Sequence, residues 1–159
     1  MQTIRALLEK QAEQYGEKEY LFVPERKESI SYQQLNQRVN QAANLLLRLG
    51  VTKGEKVALL LPNIPEFLYL YFAAMKMGAV AVPVNILLKS QELQYVIHNA
   101  EAKVLITTSS YLPALLAIRA QLPLLQTILV VDEVNTEEVA PDVHPFYPGG
   151  EFFAHVPKD

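Results

Sequence analysis

The sequence predicts an α/β fold, a mostly parallel sheet with helices on both faces. Three observations carry this expectation. Short runs at 57–61, 79–82, 103–106 and 127–131 are apolar without alternation once past Lys103 and Thr127, which open the last two. That pattern suits strands covered on both faces better than strands with one face in water. Between the runs, apolar residues recur at helical spacing, so strands and crossover helices alternate along the chain. The stretch 54–88 packs strand, helix and strand so tightly that it reads as one βαβ unit, right-handed with parallel strands.

Taken in order, Ile4, Leu7, Leu8, Ala12 and Tyr15 lie at helical spacing and predict an amphipathic helix ending near Gly16. Residues 20–23 and Ser29-Ile30 flank the charged segment 24–28 and predict a small hairpin. Ser31 and Gln34 form a capping-box pair. Behind them Leu35, Val39, Ala42, Ala43, Leu46 and Leu49 make a stripe that ends at Gly50. The run 57–61, bounded by Lys56 and Pro62, is the first strand of the βαβ unit. Asn63 is expected to cap the next helix, with Pro65 and Glu66 in its first turn. That helix carries Phe67, Leu68, Leu70, Tyr71, Phe72, Ala74 and Met75 and should stop at Gly78, a natural residue for a helix end. The strand 79–82 is ended by Pro83.

Ser90 is expected to cap a helix through Leu93, Val96 and Ile97. A strand at 103–106 follows, and Ser109 or Ser110 should start a helix through Leu115, Leu116 and Ile118. The last clear strand is 127–131. From Asp132 onward, Glu133, Glu137, Glu138, Pro141, Pro145, Pro148, Gly149 and Gly150 leave little periodicity. The expected organisation is therefore an α/β subdomain at 1–131 and an irregular linker at 132–159, with room for a short strand or helix around Phe152-Phe153.

A length of 159 residues allows one domain with a sizeable core. Half of the residues are hydrophobic and 19% are charged, as in an ordinary globular chain. The net charge is −3 and the basic residues are scattered, which points away from nucleic acid and from an anionic membrane surface. Cysteine is absent, so there is no disulfide framework, thiolate metal site or cysteine nucleophile. The first residues lack the apolar core of a signal peptide, and the longest apolar segment, 67–75, is too short to span a bilayer. A soluble, cytoplasmic protein is the expectation.

Several pieces of the chain resemble one family. They are Gly50-Val51, Lys53-Gly54-Glu55-Lys56-Val57-Ala58, Leu61-Pro62-Asn63 with Pro65-Glu66-Phe67, Gly78-Ala79-Val80 with Val82-Pro83-Val84-Asn85, and Glu92-Leu93. Ala102-Lys103-Val104-Leu105-Ile106-Thr107 follows at the family's usual distance, and Ser31-Tyr32 matches its Ser/Thr-Tyr pair. In this order and spacing the chain resembles the N-terminal part of the AMP-forming acyl-CoA synthetases, of the adenylate-forming superfamily. The resemblance implies a ligase that attaches a carboxylic acid to AMP from ATP, releasing pyrophosphate, and then passes the acyl group to CoA. It implies ATP, Mg²⁺ and CoA as ligands of the full enzyme, with none bound to this chain. The Asn85-Ile86-Leu87-Leu88-Lys89 stretch looks most like fatty-acyl members. The family's phosphate loop, nucleotide motifs and catalytic lysine lie beyond Asp159, so the chain alone is expected to be inactive while buttressing the sheet that carries them. The expected partner is the remainder of the same polypeptide, with a homodimer left open.

The candidate chemistry within the chain is sparse. Thr107-Thr108-Ser109-Ser110 follows a strand and precedes a helix, where phosphates often bind. It has neither a glycine for close backbone approach nor a lysine to pair with the charge, so helix capping is the favoured reading. Gly149-Gly150 reads as a turn in a proline-rich tail. His98, His144 and His155 show no ligand spacing, and His98 should end a helix. Asp132-Glu133 lacks the glycine fingerprint of a dinucleotide site and reads as a solvated loop, and Glu137-Glu138 as a surface pair. Phe67, Tyr69, Tyr71 and Phe72 belong to a core-facing helix, with tyrosine hydroxyls reaching partners at its edge. Pro62-Asn63 and Pro83-Val84-Asn85 follow strand ends, the edge where open α/β sheets bind ligands, and read as turns. No residue of the chain is expected to be catalytic, cofactor-binding or metal-ligating. A second reading, from another class, is a binding or assembly module that reuses the fold without catalysis.

Overall fold

The computed structural model describes residues 3–132 and 143–145. The first helix, α1 (Ile4–Tyr15), is capped by Thr3, whose side chain accepts from the Ala6 N–H at 3.1 Å. An antiparallel hairpin follows, β1 (Glu19–Val23) and β2 (Glu28–Ser31), joined by a short 3₁₀ turn over Pro24–Arg26. Helix α2 (Tyr32–Arg48) starts in the expected capping box: Ser31 Oγ accepts from the Gln34 N–H, and Gln34 Oε1 accepts from the Ser31 N–H.

The βαβ unit forms as β3 (Lys56–Leu60), α3 (Pro65–Lys76) and β4 (Val80–Pro83), with β3 and β4 parallel. Helices α2 and α3 end alike. The N–H groups of Gly50 and Val51 donate to the carbonyls of Leu47 and Leu46, and those of Gly78 and Ala79 to Met75 and Ala74. Each pair is a Schellman closure that needs a left-handed residue, and the two glycines supply it at φ 77° and 79°. The buried Val51 and Ala79 then turn the chain back under its helix.

Helix α4 (Ser90–Ala100), β5 (Val104–Thr107), α5 (Leu112–Ile118) and β6 (Thr127–Val130) complete the alternation. A further strand, β7 (Val143–Pro145), pairs in parallel with β6. The main sheet is thus five-stranded, in the order β4-β3-β5-β6-β7, and parallel throughout.

The strands split their side chains between two cores, as a doubly covered sheet requires. Val57 and Leu59 of β3, Val104 and Ile106 of β5 and Leu129 of β6 pack on one face with α1, α2, α3 and the hairpin. Ala58, Leu60, Leu105, Ile128 and Val130 pack on the other with α4 and α5. Lys76 ties the first group of helices together, donating to Asn36 Oδ1 at 3.1 Å and pairing with Glu9 at 3.3 Å.

Four local expectations change. The cap of α3 is Ile64, not Asn63, because the residue before a proline is forced into extended backbone (φ −115°, ψ 157°), which is the cap conformation. The cap of α4 is Lys89, not Ser90: the Glu92 carboxylate reaches back to accept from the Lys89 N–H at 3.0 Å, leaving Ser90 in the first turn. Ser109 opens a 3₁₀ turn, and α5 begins only at Leu112. Strand β7 lies within a segment that the sequence presents as irregular, because three residues beside a paired neighbour show no periodicity of their own. The Phe152-Phe153 element lies outside the described residues.

Two measurements follow from this packing. Gly78→Ala, with a left-handed backbone and a new Cβ 3.1 Å from the Lys53 side chain, should lower the unfolding free energy by about 1–2 kcal/mol in urea denaturation. At the amino edge of the sheet, Lys103 Nζ donates to Glu55 Oε1 at 2.8 Å and to the Gly50 carbonyl at 3.3 Å. The Lys103 hydrogen bond, then that from the Thr52 N–H, holds the Glu55 carboxyl below the ordinary carboxylate range. A depressed folded value means that its stabilisation is present above the unfolded pKa and is lost as pH falls through the folded one. An NMR titration should show Glu55 titrating low in the native chain and returning upward in Lys103→Met.

Candidate functional site

The strand order places a topological switch point between β3 and β5. From β3 the chain passes to α3 on one face, and from β5 to α5 on the other. In open α/β sheets the crevice for a ligand lies there, beyond the carboxyl ends of the strands. The loops that meet at this edge begin at Leu61-Pro62-Asn63 after β3, at Thr108-Ser109 after β5 and at Val131-Asp132 after β6.

The polar groups of this edge are largely committed to one another. Ser109 donates its N–H to Asp132 Oδ1 at 2.6 Å and its hydroxyl to Asp132 Oδ2 at 2.8 Å. The Val131 N–H donates to the Thr107 carbonyl at 2.9 Å. Thr107 is fully buried and its hydroxyl donates to the Thr108 carbonyl at 3.3 Å. Asp132 is therefore no solvated loop residue: it ties the exit of β6 to the exit of β5. Its carboxylate also occupies the Ser109 amide that a phosphate would need, and its charge would repel one. Neither a phosphate cradle nor simple helix capping describes Thr107-Thr108-Ser109-Ser110.

On β4's side, Asn85 Oδ1 accepts from the Leu87 N–H at 3.0 Å, a side-chain turn of the expected kind. Asn63 is exposed at the mouth of α3. His98 is exposed in the last turn of α4, where the Glu101 N–H caps its carbonyl at 3.0 Å. His144 contributes its backbone to β7. Glu133, Glu137, Glu138, Gly149, Gly150 and His155 lie outside the described residues. Among the described residues no group of three His, Cys, Asp or Glu could hold a metal ion.

The aromatic residues of α3 pack as a core-facing set. Tyr69 is buried, and Phe67, Tyr71 and Phe72 pack against the same core. Phe67 stacks on Tyr71 at 6.0 Å, and Tyr71 meets Phe72 edge-on at 6.0 Å.

A second concave surface lies beside this edge, between the hairpin and the first turn of α3. It is a groove of about 460 Å³ whose walls include Phe22, Pro24, Ile64, Pro65, Phe67 and Leu68. Below it Arg26 grips Glu66 with both arms of its guanidinium, Nη1 to Oε1 at 2.7 Å and Nη2 to Oε2 at 3.0 Å. Burial, then the charges of Glu28 and Glu66, pushes the nearby Tyr69 hydroxyl up from its ordinary range. This pair joins residues 40 positions apart, and no local pattern announces it. Its trace in the sequence is a carboxylate in the first turn of a helix that is apolar from there to Lys76.

Comparison with known proteins gives a consistent picture. The family model of AMP-binding enzymes matches residues 8–150. A crotonobetaine/carnitine–CoA ligase of Escherichia fergusonii is 37% identical over 115 residues, which cover 70% of this chain and 22% of that ligase. The anthranilate CoA ligase AuaEII, solved with anthranoyl-AMP, is similar at a TM-score of 0.76 and 35% identity, over 80% of this chain and 24% of its own. The N-terminal domain of FACL13 from Mycobacterium tuberculosis is similar at 0.79 and 30% identity, over 89% of this chain and 40% of that one. The chain thus spans 22% of the length of the curated ligase it matches. Among the described residues no helix is long and apolar enough to cross a membrane.

Asp132→Ala should cost about 1.5–3 kcal/mol in equilibrium unfolding, the worth of hydrogen bonds to a charged group. Asp132→Asn, which keeps one acceptor, should cost less.

Proposed function

This chain belongs to the AMP-binding enzyme family, and from that premise we propose that it is the N-terminal α/β part of an acid–thiol ligase. In the proposed reaction a carboxylate attacks the α-phosphorus of ATP, giving an acyl-adenylate and pyrophosphate. The thiol of CoA then attacks the acyl carbon, giving a thioester and AMP. The observation that supports this reading is the match of one continuous stretch, 8–150, to the family, together with the likeness to an N-terminal domain of a relative at 30% identity. We propose a fatty acid as the substrate. One relative supports it, a fatty acyl CoA synthetase of Mycobacterium tuberculosis, 33% identical with a TM-score of 0.76. We propose the cytoplasm as the compartment, a location with which a chain without cysteine is compatible.

ATP, Mg²⁺ and CoA belong to the proposed whole enzyme. The described residues do not fit the nucleotide: the Ser109 amide and hydroxyl are taken by Asp132, and the loop after β5 carries no lysine. No step is therefore assigned to them. Their role in our reading is mechanical. Strands β3, β5 and β6 are buried on both faces and form a rigid support for the rest of the polypeptide. We take 1–131 as the α/β part and 132–159 as the lead toward the nucleotide-binding part, with residues 143–145 contributing β7 to the sheet.

Two assays test this. The polypeptide captured from its source cell with an antibody to this chain should exchange pyrophosphate into ATP in the presence of fatty acids. No exchange with any carboxylic acid would overturn the ligase reading. The isolated chain should neither exchange pyrophosphate nor gain melting temperature in millimolar Mg–ATP. A clear gain would overturn the assignment of a supporting role.

A further inference from the structure

The β1–β2 hairpin stands apart from the five-stranded sheet as its own two-stranded sheet. Its base is fixed. The Tyr32 N–H donates to the Lys18 carbonyl at 3.1 Å and the Gln33 N–H to the Gly16 carbonyl at 3.0 Å, while the Tyr15 and Tyr20 rings each lie 5.1 Å from that of Tyr32. Just beyond the base the ladder slips: Glu19 pairs with Ser31 and Leu21 with Ile30, so Tyr20 has no partner residue opposite it. Such irregularities weaken pairing and bend a strand locally.

At the other end, the turn Pro24–Arg26 is held to α3 by the Arg26–Glu66 pair. The two partners differ in setting. The Glu66 side chain is 9% exposed and the Arg26 side chain 46% exposed, so the guanidinium is an accessible hand on a buried carboxylate. The groove lies between these two points. One wall is the distal hairpin, Leu21 to Glu25, and the other is the start of α3. Phe22 in the first wall is 51% exposed and adds little to hold it shut.

We propose that the distal hairpin, residues 21–29, is a flap that hinges at the ladder slip beside Tyr20 and is latched by Arg26 on Glu66, so that unlatching widens the groove over the first turn of α3. The closed flap seats Val23 in the core, and unlatching frees it. The inference rests on the geometry of this chain alone and stands whether or not the ligase reading holds.

Native-state hydrogen exchange on the full chain, read by mass spectrometry, tests it. In Arg26→Gln, amides of 21–29 should exchange roughly tenfold faster or more, while those of β3 and β5 change less than about twofold, the mark of a local opening. Arg26→Lys, which keeps the charge but not the two-armed grip, should fall between. The half-exposed Arg26 leaves no core cavity when replaced, so both variants should fold. Unchanged rates at 21–29 would overturn the latch. An equal acceleration of hairpin and central sheet would overturn the flap, since the pair would then stabilise the whole fold rather than one segment.

Discussion

The structure depends on one constraint: a parallel sheet has no face to give to water. The crossover helices that join its strands must cover both sides, so each central strand has to send apolar side chains in both directions. Strand β3 shows the result, with Val57 and Leu59 in one core and Ala58 and Leu60 in the other, all within 2% of complete burial. From this follow the strand order and the switch point between β3 and β5. The two glycine-closed helix ends follow as well, since α2 and α3 must stop sharply to feed buried segments.

The same constraint shapes the carboxyl edge. Three strands end there side by side, and their loops would leave backbone and hydroxyl groups half-desolvated unless something bound them. Asp132 binds Ser109, and the Val131 N–H binds the Thr107 carbonyl. An edge satisfied in this way is stiff and poorly suited to receive an anion, because its donors are already engaged and a carboxylate sits among them. The supporting role we propose within a larger ligase agrees with that chemistry.

The hairpin obeys a different rule. It lies outside the main sheet, and its tip is tied to α3 by one specific contact. The Arg26–Glu66 pair is of the planar, two-armed kind that guanidinium and carboxylate form best, and it places a buried acid at the amino end of α3, where the helix dipole favours negative charge. Rigid core and tethered flap thus meet at one helix start.

By itself the sequence determined the alternation of elements, the parallel sheet covered on both faces, the capping box at Ser31 and the sharp ends at Gly50 and Gly78, because each is written in residues close along the chain. It also carried the family resemblance, since motif order survives in a single chain. Only the tertiary structure decided what depends on distant partners. Strand β7 exists because β6 offers an edge, Asp132 is fixed because Ser109 lies beside it, and Arg26 and Glu66 meet across 40 residues. The helix starts at Ile64 and Lys89 were decided by proline sterics and by a returning Glu92 carboxylate rather than by the nearest capping residue. Periodicity and capping preference describe neighbours in sequence. Pairing and charge satisfaction are settled between neighbours in space.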